Sequence, residues 1–228
     1  MKKLLQKYSI ELSTEELEKF EKFLELFKEK NAVVNLSAIR DDQGIIEKHF
    51  IDSIMLNVFY EVNGKVADMG TGGGFPLLPL AIINPEAEFL GIDSVGKKLK
   101  AVEEFSEKLG LKNVSTLNGR AEEIGQNPLY REQFDLVTSR ATAFFPTLLE
   151  YVIPLLKVGG IFVAYKLDDK EELKSAKKAL SRLSAKILKI KNYSIDGQDR
   201  TLVFIEKLHP THKQFPRKVG IPLKSPIK

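Results

Sequence analysis

The order of apolar and polar residues predicts helices in the first quarter of the chain. In "STEELEKFEKFLELFKEKN", which starts at Ser13, leucines and phenylalanines recur at helical spacing on one face. Ser13 and Glu16 have the spacing of a capping box. Residues 45–60 also have a helical pattern, and 33–44 are expected to form an ordered connector. We expect the first helix to pack its apolar stripe against the rest of the protein, and partner binding is the alternative.

From residue 64 onward, short apolar runs alternate with helical patterns. This alternation predicts a doubly wound parallel sheet with right-handed crossovers. The predicted strands are "KVADMG", "AEFLGIDS", "VSTLNG", "FDLVTSR" and "GGIFVAYK", and the predicted helices lie near 75–83, 96–109, 144–157 and 169–184.

Two further apolar runs, "KILKIKNYSI" and "RTLVFIEK", have no helix between them. Their connector "DGQD" favours a tight turn, so they should form an antiparallel hairpin at the sheet edge. Five parallel strands closed by a hairpin is the layout of the Rossmann-like, seven-stranded sheet of S-adenosylmethionine-dependent methyltransferases. We therefore predict an α/β protein with an N-terminal helical extension (1–62), a methyltransferase domain (63–207) and a basic C-terminal tail (208–228) that packs on or near the active site.

A glycine-rich loop, "DMGTGGGF", joins the first predicted strand to a helix, with the pattern Asp68-x-Gly70-x-Gly72-x-Gly74. A dinucleotide fingerprint would need glycine where Phe75 stands, and a Walker loop would end in Gly-Lys-Ser/Thr. Alternate glycines permit a sharp turn against which a ligand can lie, and amides at the next helix start point at it. Asp68 would repel a pyrophosphate but can accept from the ammonium of S-adenosylmethionine. A plain strand-to-helix turn is the alternative.

Polar residues also follow the next three predicted strands. Asp93 ends the second strand, where a ribose is expected, and Ser94 should cap the next helix. After the third strand, Ala121 and Glu122 are expected beside the adenine, and after the fourth, Arg140 is expected beside the transferred methyl group. Ligands of open α/β sheets bind at these carboxyl ends. Four such loops in order predict a methyltransferase cofactor site.

Composition limits the remaining possibilities. The 228 residues fit one α/β domain with an extension. Absence of cysteine excludes thiolate metal sites, and with three histidines we expect no metal. The chain has neither a signal-peptide pattern nor an apolar stretch long enough to span a membrane. We expect a cytoplasmic monomer without membrane contact.

The net charge of +4 comes from the C-terminus. Six Lys and Arg residues and no acid lie between Lys207 and Lys228, which leaves 29 basic against 31 acidic residues in 1–206. A basic, proline-containing tail is a candidate for contact with a polyanion such as RNA. A solvated chain end is the alternative.

Together these motifs resemble the bacterial small-subunit ribosomal RNA guanine-N7 methyltransferases, the family also called glucose-inhibited division protein B. The resemblance runs from about residue 20 to the C-terminus, and the tail is most specific because generic methyltransferases lack Pro-Arg-Lys-x-Gly-x-Pro. The motifs are "NLSAIRD", "KHFIDSI", "DMGTGGGFPLLPLAI", "DSVGKKLKAVEE", "NGRAEE", "TSRATA" and "QFPRKVGIPLKSPI". The chain departs from the family at Leu167, where glycine is usual, and at Phe215, where tyrosine is frequent; an aromatic residue before "NL" is also missing.

The resemblance implies S-adenosylmethionine-dependent methylation of guanine N7 in the 530 loop of 16S rRNA, free or in the 30S subunit. By family pattern, the cofactor contacts are Gly70, Phe75, Asp93, Ser94, Val95, Ala121, Glu122 and Arg140.

Guanine N7 carries an unprotonated lone pair, so its attack on a sulfonium methyl needs no general base, and catalysis should be in-line positioning. For Arg140, a structural ion pair is the alternative to a catalytic role, and for His49 and Asp52 it is packing between helix and domain. The substrate-side residues are Arg140 and Lys166 in catalysis and His49, Asp52, Arg217 and Lys218 in binding.

Three other functions remain open on the residues alone. The first is a methyltransferase for a small molecule or another RNA, against which the basic tail counts mildly. The second is a non-enzymatic RNA-binding protein, against which the intact glycine loop and Asp93 count. The third is an NAD-dependent enzyme, against which the absent third fingerprint glycine counts.

Overall fold

The computed structural model, which describes residues 1–140, 143–167 and 170–227, begins with two helices, α1 (Lys2–Lys7) and α2 (Thr14–Val34). The capping box is present: the Ser13 side chain accepts from the Glu16 amide, and the Glu16 carboxylate accepts from the Ser13 amide. The apolar stripe of α2 is buried, with Phe20, Phe23 and Phe27 at most 1% exposed. The prediction that this helix packs against the main body is therefore confirmed.

The region predicted as helical over 45–60 forms short segments, the first of which begins at Asp42, within the predicted connector. They are α3 (Asp42–Ile45), a π-helix (Ile46–Ile51), α4 (Asp52–Ile54) and α5 (Leu56–Phe59). The hydrophobic pattern does not distinguish a π-helical turn from an α-helical one. Such wide turns occur frequently at functional sites.

The predicted seven-stranded sheet is confirmed, in the order β3-β2-β1-β4-β5-β7-β6. Strands β1 to β5 are parallel, and β7 is antiparallel to both of its neighbours. Asp196 and Gly197 form the hairpin turn, both with positive φ, which matches a two-residue type I′ loop. The strands are β1 (Lys65–Met69), β2 (Glu88–Asp93), β3 (Val114–Asn118), β4 (Phe134–Arg140), β5 (Leu156–Leu167), β6 (Ala185–Ile195) and β7 (Gln198–Lys207).

The remaining helices differ in detail from the prediction. The segment predicted over 144–157 ends early, because a 3₁₀ turn (Ile153–Leu155) leads directly into β5. The segment predicted over 169–184 contains two helices. Three short helices were not predicted: α1 and those over Ala121–Gln126 and Ile221–Lys224. Ala141, position 169 and Lys228, which belong to predicted segments, lie outside the described residues. The helices are α6 (Leu77–Ile83), α7 (Gly96–Leu109), α8 (Ala121–Gln126), α9 (Phe145–Val152), α10 (Lys170–Ser175), α11 (Lys177–Arg182) and α12 (Ile221–Lys224).

Apolar cores cover both faces of the sheet. Leu136 of β4 faces the core formed with α2, α6 and α7, while its neighbour Val137 faces the core formed with α9 and α11. Phe215 and Ile227 from the C-terminal tail belong to the second core. The carboxyl ends of the parallel strands, where the predicted ligand loops lie, are thereby held between two packed layers.

Candidate active site

The glycine loop after β1 forms a tight turn at the carboxyl edge of the sheet. Gly70, Gly72 and Gly74 have φ values of 77°, 55° and 93°, a region that side-chain-bearing residues rarely adopt. The amide of Gly70 donates to the carbonyl of Ile92 at 2.8 Å, which ties the loop to the end of β2. Three alternate positions therefore require glycine for the backbone conformation itself.

Asp93, at the end of β2, holds this loop in place. Its carboxylate accepts from the amide of Gly72 at 2.9 Å through Oδ2 and from the amide of Val95 at 2.8 Å through Oδ1. Each carboxylate oxygen has two lone pairs, so each can still accept one hydrogen bond from a ligand. The expectation that Ser94 caps α7 is wrong: Val95 is the N-cap, and no side chain caps it.

Asp68 lies on β1 beneath the loop and is almost fully buried. Thr138 donates to its Oδ1 at 2.9 Å, and its Oδ2 has no hydrogen-bond partner among the described residues. Burial raises the pKa of Asp68 to about 6. A buried carboxylate oxygen without a partner is unfavourable, so this position suits a ligand that brings a cationic donor.

These elements surround a cavity of about 510 Å³, within the usual range for a small-molecule site. Asp68, Gly74 and Val95, although predicted as cofactor contacts, do not line it. The cavity wall also contains residues that were not predicted as contacts, among them Leu36, Ser37 and Leu223, which lie within the quoted motifs, and Tyr151, which lies outside them. The predicted cofactor residues that line the cavity are Gly70, Gly72, Phe75, Asp93, Ser94, Ala121, Glu122 and Arg140, and His49, predicted on the substrate side, lines it too.

Arg140, at the end of β4, joins the cavity to the N-terminal extension. It donates to the carbonyl of Lys48 at 2.9 Å, to Asp52 Oδ2 at 3.0 Å and to His49 Nδ1 at 3.1 Å. Its guanidinium also lies over the ring of Phe75, 5.5 Å from the ring centre. The ion pair considered as an alternative for Arg140 is thus present, and the residue lines the cavity as well.

The π-helix brings His49 and Asp52 to the same guanidinium. An arginine cannot accept a hydrogen bond, so His49 Nδ1 is the acceptor and its Nε2 carries the proton, 2.7 Å from Ser37 Oγ. Burial, with the positive charge of Arg140, lowers the pKa of His49 to about 3. His49 is therefore neutral at physiological pH and fixed in one tautomer.

A second cavity, of about 680 Å³, adjoins the first and shares His49 and Arg140 with it. Asp52 and Lys166 line this second cavity and not the first. Lys166, from the end of β5, contacts both carboxylate oxygens of Glu172, at 2.7 and 2.9 Å. The predicted substrate-side residues thus divide into a group around Arg140 and a separate group on the tail.

The basic tail is anchored to the main body at several points, although many of its side chains are exposed. Phe215 is buried, and Arg131 donates to three tail carbonyls, including that of Phe215 at 2.7 Å. Arg217 pairs with the buried Glu150 at 2.7 Å, whereas Lys218 is exposed. Contact of Arg217 and Lys218 with RNA stays a prediction.

The described residues contain no helix long and apolar enough to cross a bilayer. They also contain no group of three or more His, Cys, Asp or Glu side chains arranged to hold a metal ion.

The strand order and the strand-end loops define the class of the protein, a Rossmann-like methyltransferase fold. Solved structures share it: a SAM dependent methyltransferase from Aquifex aeolicus has a TM-score of 0.55 at 20% identity, over 72% of this chain and 93% of that one. The M. jannaschii TYW2 in complex with AdoMet has a TM-score of 0.58 at 16% identity, over 75% of this chain and 80% of that one.

The chain belongs to the GidB family, which is described as rRNA small subunit methyltransferase G. Residues 16–203 of the chain match the sequence pattern of this family. Two relatives carry the name "Ribosomal RNA small subunit methyltransferase G". The one from Clostridium novyi (strain NT) is 42% identical over 225 residues, covering 96% of this chain and 92% of the relative. The one from Desulfitobacterium hafniense (strain Y51) is 44% identical over 226 residues, covering 97% and 94%. The family resemblance inferred from the motifs is confirmed.

Proposed function

We propose that the protein transfers a methyl group from S-adenosylmethionine to N7 of a guanine in the 530 loop of 16S rRNA. The near-full-length similarity to proteins named as small-subunit rRNA methyltransferases supports the substrate class. The observation that carries the cofactor assignment is the cavity walled by the glycine loop and Asp93, at the carboxyl end of the strand that holds the buried, unpartnered Oδ2 of Asp68.

The donor groups fit S-adenosylmethionine part by part. Asp68 does not line the cavity, so its unpartnered oxygen suits the ammonium through a bridging water, and the free lone pairs of Asp93 suit the two ribose hydroxyls. Ala121 and Glu122, at the start of α8, suit the edge of the adenine. The cofactor supplies an electrophilic methyl group on a sulfonium, and the protein supplies its orientation.

No residue needs to remove a proton from guanine N7, because the attacking lone pair is free. The low pKa of His49 agrees with this reaction, since a neutral imidazole that accepts from Arg140 is a poor general base. In this proposal His49 and Asp52 hold Arg140, and Arg140 separates the cofactor cavity from the adjoining one. Catalysis is then the alignment of two bound reactants in a water-poor site.

The adjoining cavity is the proposed position of the acceptor guanine. Methylation at N7 gives the base a positive charge, and the carboxylates of Asp52 and Glu172 line this cavity. Carboxylates already fixed by Arg140 and Lys166 can stabilise developing positive charge without reorganising. A guanine in a loop must be presented unstacked to enter, as is usual for recognition of single-stranded RNA.

The direct test is to map N7-methylguanine in 16S rRNA from cells with and without this protein. We expect one modified guanine in the 530 loop, absent without the protein and absent with Asp93→Ala. Incubating the protein and tritiated cofactor with 30S subunits, free 16S rRNA or a metabolite pool then identifies the substrate form. Label incorporated only into the metabolite pool, or at a different RNA site, would reject the proposal.

A further inference from the structure

The tail residue Arg217 is held by an acid that solvent cannot reach. Its amide donates to Glu150 Oε1 at 2.8 Å, its Nε to the same oxygen at 2.9 Å, and its terminal nitrogen to Oε2 at 2.7 Å. The side chain of Glu150, on α9, is fully buried. Removing one partner of such a pair leaves a buried charge uncompensated. The pair therefore fixes the tail to α9 at this point.

The residues after Arg217 extend from this anchor to the cofactor cavity. The amide of Gly220 donates to Glu122 Oε1 at 2.9 Å, and the Thr147 hydroxyl donates to the carbonyl of Pro222 at 2.9 Å. Leu223 then lines the cavity itself. Gly220 has a φ of 81°, and a Cβ there would meet nothing within 4 Å, so only the backbone conformation requires glycine.

Glu122 is the point at which the tail meets the proposed adenine site. It is buried, it lines the cavity, and one of its two oxygens accepts from the tail amide. Tyr151 lines the cavity nearby, and burial together with the charge of Glu122 raises its pKa to about 12. The orientation of the Glu122 carboxylate thus depends on where Gly220 lies.

We propose that Arg217, Glu150 and Gly220 are positioning residues for the adenosine end of the cofactor site. The Arg217–Glu150 pair fixes the tail, the Gly220 amide fixes Glu122, and Leu223 closes the wall. This inference rests on the proposed function, because it assumes that the cavity binds S-adenosylmethionine. The inference gives Arg217 a role in cofactor binding. Lys218, which is exposed and has no ion pair among the described residues, remains the residue proposed to contact RNA.

The test compares cofactor binding with RNA binding for three variants of the full chain. Glu150→Gln and Arg217→Gln should weaken S-adenosylmethionine binding roughly tenfold in calorimetry without RNA, the factor expected for one hydrogen bond to a charged group. Lys218→Gln should bind the cofactor like the wild type but lower the salt dependence of 16S rRNA binding. Glu150 is the sharpest probe, since a buried side chain cannot contact RNA.

Two substitutions at Gly220 provide a control that distinguishes a positioning effect from loss of folding. Gly220→Ala strains the left-handed backbone, whereas Gly220→Asn tolerates it, so asparagine should restore what alanine loses. With melting temperatures matched, the alanine variant should raise the KM for the cofactor severalfold and leave kcat nearly unchanged. Wild-type cofactor affinity in Glu150→Gln, or equal KM values for the two Gly220 variants, would overturn the inference alone. A wild-type protein that does not bind S-adenosylmethionine would overturn the proposed function as well.

Discussion

Replacing Asp93 by alanine should weaken cofactor binding roughly a hundredfold while the fold persists. The substitution removes the acceptor for the amides of Gly72 and Val95, at 2.9 and 2.8 Å. Hydrogen bonds to a charged group contribute about 1.5–3 kcal/mol each, but water can replace part of this at a half-exposed residue. We therefore expect a loss of about 1–3 kcal/mol in the free energy of unfolding, which a domain of this size tolerates.

The effect on cofactor binding should be larger than the effect on stability. Under the proposed ribose assignment, the variant loses two hydrogen bonds to the ribose hydroxyls, and the loop that contains Gly72 loses its fixed position. At about 1.5 kcal/mol for each ribose contact, the dissociation constant should rise roughly a hundredfold. Isothermal titration with S-adenosylmethionine measures this rise, and thermal melts of the unliganded variant measure the stability.

Asp135 provides a matched control for Asp93. It also accepts from a backbone amide, that of Lys65 at 2.9 Å, and it pairs with Lys157 at 2.6 Å, but it does not line the cofactor cavity. Asp135→Ala should therefore lose stability without losing cofactor affinity. Wild-type affinity in Asp93→Ala, or an equal loss of affinity in both variants, would refute the ribose assignment.

Burial raises the pKa of Asp68 to about 6, above its usual 3.8, so the unliganded fold should lose up to about 3 kcal/mol of stability as the pH rises through this range. Asp68→Asn should then raise the melting temperature of the unliganded protein at neutral pH but weaken cofactor binding. The affinity of the wild-type protein for the cofactor should decrease when the pH is lowered below about 6. Thermal melts and binding titrations at several pH values check this, and a pH-independent affinity would contradict it. Lys218→Ala should reduce the slope of log affinity for 16S rRNA against log salt by about one unit, measured by filter binding; an unchanged slope would count against a phosphate contact there.

The sheet and the cofactor loops could be predicted because their determinants are local in sequence. The glycine pattern, the strand-end position of Asp93 and the Asp-Gly turn at 196–197 each lie within a few residues of the structure they form. The prediction that Ser94 caps α7 was wrong for a reason that is also local. The N-cap is Val95, one residue after Ser94, and the amide of Val95 donates to the carboxylate of Asp93.

Contacts between distant segments could not be predicted in the same way. The basic composition of the tail suggested RNA for Arg217, but its partner Glu150 lies 67 residues earlier on a helix that gave no sign of a buried acid. The π-helical turn is equally invisible in the hydrophobic pattern, although it sets both His49 and Asp52 on Arg140. The number of basic residues in a segment does not show which of them are exposed and which are paired with a buried acid, as Arg217 is with Glu150.

Phe75 explains in physical terms why the loop departs from a dinucleotide fingerprint. Its ring stacks on His49, with ring centres 4.6 Å apart, and also packs on Phe23 and Phe27 of α2, at 5.5 and 5.0 Å. The guanidinium of Arg140 lies over the same ring. A third spaced glycine would allow the helix to pack closely on the strand, but it would remove the surface on which the extension and Arg140 rest. Because a buried phenylalanine contributes about 3–5 kcal/mol relative to alanine, this position links the N-terminal extension to the cofactor loop energetically as well as geometrically. Phe75, which departs from the dinucleotide fingerprint, is therefore a residue through which the N-terminal extension contacts the cofactor site.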